Sequence, residues 1–211
     1  MLLHEITLDA SRNTSPNQLG AGVQGIAFGT NKPNTVRKVY GLDDFNDPYY
    51  QFIKMIEQHQ DNIFFPRIYR HHVYKNKPIK QSRVSDYFMT GVVMMEKLHP
   101  LYKGPVDNDM IVAMFDNLGL KINTPDDLYP MFEDRKLIQQ VINTTTNDMF
   151  ADALRMLISS GRKSYDLHAG NWMVRLTSVG PQIVILDPVY GSDVNSIPEA
   201  DLKKLSFELA V

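Results

Sequence analysis

Asp166 is followed five positions later by Asn171 within Ser164-Tyr165-Asp166-Leu167-His168-Ala169-Gly170-Asn171, and Leu186-Asp187-Pro188 comes sixteen residues on. A regular amphipathic helix does not carry an acid, a His, a Gly and an amide in this arrangement. The stretch reads as a loop of fixed shape between a helical pattern and the apolar run Trp172-Met173-Val174. A second apolar run, Ile183 to Leu186, delivers Asp187 to its end. Two short strands are thus expected to present Asp166, Asn171 and Asp187 near one another. One acid can take the proton of an attacking hydroxyl, while the amide and the second acid offer hard oxygen ligands to Mg²⁺. That set suits phosphoryl transfer. A polar turn joining two hairpin strands satisfies the same local pattern.

Upstream, Leu19-Gly20-Ala21-Gly22-Val23-Gln24-Gly25-Ile26-Ala27-Phe28 places three glycines where a backbone can turn and meet phosphate oxygens. A dinucleotide fold requires strand, glycines and then a helix. Here Ile26-Ala27-Phe28 continues as strand and Asn31-Lys32-Pro33-Asn34 forms a turn, giving strand, glycine loop, strand. The next strand, Thr35 to Tyr40, puts Val36 and Lys38 on one face and Arg37 and Val39 on the other. Lys38 on a ligand-facing side would neutralise α and β phosphates; for any single lysine a solvated side chain is the normally favoured reading.

The remaining pattern gives a helix over 47–60, capped by Asp47 with Pro48 in its first turn and a stripe of Tyr49, Phe52, Ile53 and Ile56. Asn62 to Tyr69 leads into a strand, and Gly91 to Leu98 reads as a buried strand emptying into a linker, Met95 facing inward. From Val106 the pattern is helical: Met110, Ile111, Met114, Phe115 and Leu118 to a stop at Gly119, a short helix from Asn123-Thr124-Pro125-Asp126, another over 135–142, and a stronger one capped by Thr146-Asn147-Asp148 and stopped at Gly161. Leu3, Ile6 and Leu8 suggest a lead-in strand, and Ser196-Ile197-Pro198-Glu199 opens a terminal helix.

Across 211 residues the net charge is −2, so no basic footprint points to nucleic acid. Without cysteine, thiol catalysis, disulfides and thiolate metal sites are excluded. No apolar run reaches membrane-spanning length, and Met1-Leu2-Leu3-His4-Glu5 does not open a signal peptide, a pattern compatible with the cytoplasm.

In order and context, Gly20, Gly22 and Gly25, then Lys38, the Met95–Leu98 linker, Asp166 with Asn171, and Asp187 resemble the protein-kinase-like fold. The wording of Leu19-Gly20-Ala21-Gly22, Val36-Arg37-Lys38-Val39, the Asp166 loop and Leu186-Asp187-Pro188-Val189 is closest to the early serine/threonine kinases of short-tailed phages. Asp166-Leu167-His168-Ala169-Gly170-Asn171 is also similar to the aminoglycoside-phosphotransferase branch. The resemblance implies an α+β, two-lobed fold: a strand-rich N-lobe over 1–98 and a reduced helical C-lobe over 99–211, with ATP and Mg²⁺ between them.

It also implies roles. Gly20, Gly22 and Gly25 cover the phosphates, Lys38 contacts the α and β oxygens, and the Glu96–Leu98 backbone faces the adenine edge. Asp166 orients or deprotonates the acceptor, His168 takes a phosphate-facing position, and Asn171 and Asp187 hold the metal. The implied acceptor is Ser or Thr of a host protein in the host cytoplasm. A small-molecule kinase and a pseudokinase-like protein that binds and inhibits a host factor are the alternatives. Several positions depart from the family pattern. Ser164-Tyr165 replaces His-Arg, which removes the Arg that reads a phosphorylated activation loop, and Pro188-Val189 replaces Phe-Gly. The helix partner of Lys38 is Gln51 or Glu57. Only 24 of the 211 residues follow Asp187, leaving no room for a peptide-binding helical subdomain.

Overall fold

A computed structural model describes residues 18–22, 25–42, 44–75, 89–159 and 165–189. The expected lead-in strand, the Gly161 stop, Ser164 and the terminal helix lie outside the described residues. The architecture is mixed α and β, with two antiparallel sheets and several helices.

The described residues up to Gln51 form one compact unit with those described between Ile68 and Glu96. Its sheet is antiparallel throughout, in the order β1 (Gln18–Gly22), β2 (Gly25–Gly29), β3 (Thr35–Leu42), β5 (Met89–Glu96) and β4 (Ile68–Lys75). The unbroken apolar run of β5 places it between two neighbours, and seven of its eight residues are buried. At the edge, β4 alternates exposed His, Arg and Lys with half-buried residues, a composition that discourages further strand pairing. Pairing of Lys38 with Val93 and of Val39 with Val92 sets the register of the centre. On one face Phe28, Val39 and Val92 form a buried cluster flanked by Ile26 and Tyr74. On the other, the ring of Tyr40 meets Tyr49 edge-on at 4.8 Å, and its hydroxyl lies 2.7 Å from His71 Nε2.

Helix α1 (Pro48–Gln58) starts as expected: the Asp47 carboxylate accepts from the N–H groups of Tyr49 and Tyr50 at 2.9 and 3.0 Å. Its first turn belongs to the first unit. From Phe52 on, it groups with the second, which comprises Phe52–Arg67 and the described residues from Lys97 onward. The packing division therefore departs from a single cut at Leu98. The reason is apolar: Phe52 meets Phe65, and Phe64 packs on Phe150, far along the chain.

The second unit holds α2 (Asn108–Asp116), a 3-10 turn at Pro125–Asp127, α3 (Leu128–Phe132), α4 (Arg135–Thr144) and α5 (Asp148–Ser159). A three-stranded antiparallel sheet runs β6 (His99–Pro100), β7 (Trp172–Thr177), β8 (Gly180–Ile185). Caps appear where small polar residues precede apolar runs: Asp107 on α2, Asp134 on α4, and Asn147 on α5. The stripe of α2 differs from expectation. Ile111 and Phe115 are buried with Leu118, whereas Met110 is exposed, because it lies off the arc those three define. Trp172 is wholly buried with Phe115, Phe132 and Phe150 around its ring, at 5.4, 5.2 and 6.3 Å between centroids. Among the described residues, no helix is long and apolar enough to cross a membrane.

Candidate active site

The loop before β7 alternates. Tyr165, Leu167 and Ala169 are buried, while Asp166, His168 and Gly170 face outward to differing degrees. Buried aromatics clamp both ends. The Tyr165 hydroxyl donates to the carbonyl of Leu157 on α5, and the Trp172 indole N–H donates to the carbonyl of Leu167 at 3.0 Å. Such alternation needs an extended backbone, which ends in a 3-10 turn over Ala169–Asn171.

Asn171 is the junction. Its amide nitrogen donates to the Asp166 carbonyl at 2.6 Å. Its own carbonyl accepts from the N–H of Leu186 at 2.9 Å and, more weakly, from that of Asp187 at 3.5 Å. The Asp166 N–H donates to the Pro188 carbonyl at 2.9 Å, closing the circuit. Asp166, Asn171 and Asp187 are thereby tied into one small region, as the spacing of the sequence predicts. Because Nδ2 is the engaged atom, Oδ1 of Asn171 accepts no hydrogen bond among the described residues.

His168 joins this group. Its Nδ1 accepts from the Gly170 N–H at 3.0 Å. Nε2 lies 3.7 Å from Asp166 Oδ1 and 3.2 Å from Asn171 Nδ2. The imidazole thus lies beside the acid, beyond hydrogen-bond reach of it, with about half of its side chain exposed.

An oxygen of Asn171 and the carboxylate of Asp187 are the right donor chemistry for Mg²⁺, which needs few protein ligands when phosphates and water complete its shell. Among the described residues no three His, Asp or Glu side chains gather into a metal cage.

In the first unit, Gly22 pairs with Gly25 across the β1–β2 hairpin, and Gly20 pairs with Ala27. The hairpin tip, Val23 and Gln24, lies outside the described residues. Gly25 has φ +141°, and a side chain there would run into the carbonyl oxygen of Val39, so packing on β3 alone requires this glycine. Gly20 has open space around its missing side chain. Lys38 is buried, and its Nζ lies 4.0 Å from the centre of the Tyr49 ring. Gln51 and Glu57, the two candidate helix partners of Lys38, each make another contact. Gln51 is exposed, and its amide donates to the Phe45 carbonyl, because the helical turn after the Asp47 cap directs it to the loop. Glu57 forms an ion pair with Lys54 at 2.5 Å. Glu96 is buried at the end of β5 opposite Thr35, and Leu98 is half-buried between β5 and β6.

Two contributors escape a sequence reading. Tyr49 was legible only as part of an apolar stripe, yet its ring supports Lys38. Arg175, buried on β7, donates to the carbonyls of Ile63 at 2.7 Å and Phe65 at 2.9 Å. The Ile185 N–H adds a bond to the Phe64 carbonyl at 2.8 Å. These bonds fix β8, whose end carries Asp187. No family model matches the chain, and comparison with characterised proteins finds no match.

Proposed function

We propose that the chain is an ATP- and Mg²⁺-dependent phosphotransferase of protein-kinase-like, two-lobed fold, acting on Ser or Thr of a host protein. The observation that carries this reading is the Asn171 junction, which ties an acid, an amide and a second acid together through one side-chain and three backbone hydrogen bonds. The sheet order of the first unit and the buried Lys38 on its third strand support it.

On this reading Asp166 accepts the proton of the acceptor hydroxyl as that oxygen bonds to the γ-phosphorus; the bond to the ADP oxygen breaks and its electron pair leaves with ADP. His168 flanks the Asp166 carboxylate on the side where the phosphates would lie. Lys38 and the glycine hairpin bind the nucleotide phosphates, and the Glu96–Leu98 backbone takes the adenine edge. Asn171 and Asp187 hold Mg²⁺, which when bound offsets charge on the β and γ phosphates.

A small-molecule acceptor is the second reading, favoured by the similarity of the Asp-Leu-His-Ala-Gly-Asn loop to the aminoglycoside-phosphotransferase branch. Incubation with γ-labelled ATP and Mg²⁺ in host lysate separates the two. Label on particular proteins supports the first, and label on small metabolites the second. In either case folded Asp166→Asn and Asp187→Ala should lose transfer. Nucleotide-independent capture of a host protein, with no transfer by the wild type, would replace both readings with an inhibitor.

A further inference from the structure

Strand alternation places Arg37 on the opposite face of β3 from Lys38. There its cross-strand neighbours are Phe28 on β2 and Met94 on β5. With the turn residues Asn31 and Lys32 they line a cavity of about 170 Å³. Its floor is apolar and its polar wall is cationic. Among the described residues no carboxylate pairs with Arg37 or Lys32, and no protein group accepts a hydrogen bond from the guanidinium.

That is an unusual place for an unpaired charge. Arg37 is half-buried, and burial pulls its pKa below the ordinary value, an effect that nearby Tyr74 partly offsets. The group still stays protonated at any physiological pH. A half-buried cation without a counter-ion costs free energy that a bound anion would recover. Two cations match a doubly charged anion, and the planar guanidinium offers two parallel N–H donors to oxygens of one tetrahedral group. Phosphate monoesters carry close to two charges near neutral pH.

We propose that this cavity binds a phosphate monoester, its dianion held by Arg37 and Lys32 and its organic part lying against Phe28 and Met94. The site is separate from the face that presents Lys38, and it does not depend on the phosphotransferase reading. The ester could be a small metabolite or a phosphorylated side chain of a peptide; both present the same group.

Titrating the full chain with phenyl phosphate, followed by calorimetry or by NMR shifts of the Phe28 and Met94 signals, tests this. Binding should saturate, weaken as salt rises, and persist with saturating ATP. Arg37→Met should weaken it about tenfold or more, the loss expected for hydrogen bonds to a charged group. Lys32 is exposed, so Lys32→Met will fold, and it too should bind more weakly. Lys38→Met should bind as the wild type does. A short phosphoserine peptide forms the second arm: tighter binding than phenyl phosphate supports the site with a peptide source, and equal binding supports it with a small-molecule source. Absence of saturable binding by the wild type overturns the proposal. So does unchanged affinity in both Arg37→Met and Lys32→Met, or displacement by ATP together with loss in Lys38→Met.

Discussion

Lys38 is 7% exposed, so its charge is not spread into solvent as that of a surface lysine would be. Its contact with the face of Tyr49 contributes about 0.5–2 kcal/mol in such partly desolvated settings. Methionine has a similar length, so Lys38→Met removes the charge with the least change in side-chain size and should leave the chain folded. Transfer, by contrast, should fall by about a hundredfold or more, as when one preorganised electrostatic donor is removed from a reacting site. Denaturation and turnover measured on the same preparation check this; equal turnover in a folded variant would remove Lys38 from the site. The lysine was visible in the sequence through strand alternation, but its burial was not. That depends on Tyr49, eleven residues away on another element, whose place in an apolar stripe gives no hint of a cation above it. The Asp166 loop was more legible, because its acids and amide are close in sequence and the two flanking apolar runs fix where they end.

Element boundaries were readable wherever a side chain satisfies its own helix end. Asp47, Asn147 and the Thr124-Pro125-Asp126 start all act within three residues, so local sequence contains the whole interaction. The 3-10 turn at Pro125 shows the same chemistry in titratable form. Asp127 Oδ2 accepts from the N–H groups of Asn123 at 2.7 Å and Thr124 at 3.1 Å, and these bonds hold its pKa below the ordinary carboxylate value. A depressed folded-state pKa means that the unfolded chain takes up the proton first. The stabilisation is therefore present above the unfolded carboxylate pKa and is lost as pH falls through the lower folded value. Asp127→Asn should be less stable than the wild type at pH 7, with the gap closing as both are titrated into acid. Denaturant midpoints across that pH range decide it; a gap constant with pH would show that the carboxylate charge plays no part. Arg175 illustrates what local sequence does not contain. Nothing near it predicts that its guanidinium will satisfy carbonyls of residues 63 and 65.

At the scale of the molecule, the chain enters the second unit at Phe52, returns to the first at Ile68, and leaves it again at Lys97. A fragment of residues 1–98 would carry Phe52, Phe64 and Phe65 without Phe150 or Arg175. Expressed alone it should bind a hydrophobic dye and aggregate, whereas co-expression with a 99–211 fragment should give a soluble, co-purifying pair. A monodisperse 1–98 fragment with cooperative unfolding would contradict this division. The same interleaving sets a timetable for synthesis. Phe65 leaves the ribosome 110 residues before Arg175, the side chain that accounts for its carbonyl. The stretch between α1 and β4 must therefore wait, partly unsatisfied, while more than half of the protein is made. The five described strands of the first unit, by contrast, have all emerged once Glu96 has. Translation thus delivers these five strands with an unfinished stretch, residues 52–67, between two of them, and chaperone engagement on the nascent chain should concentrate in that interval.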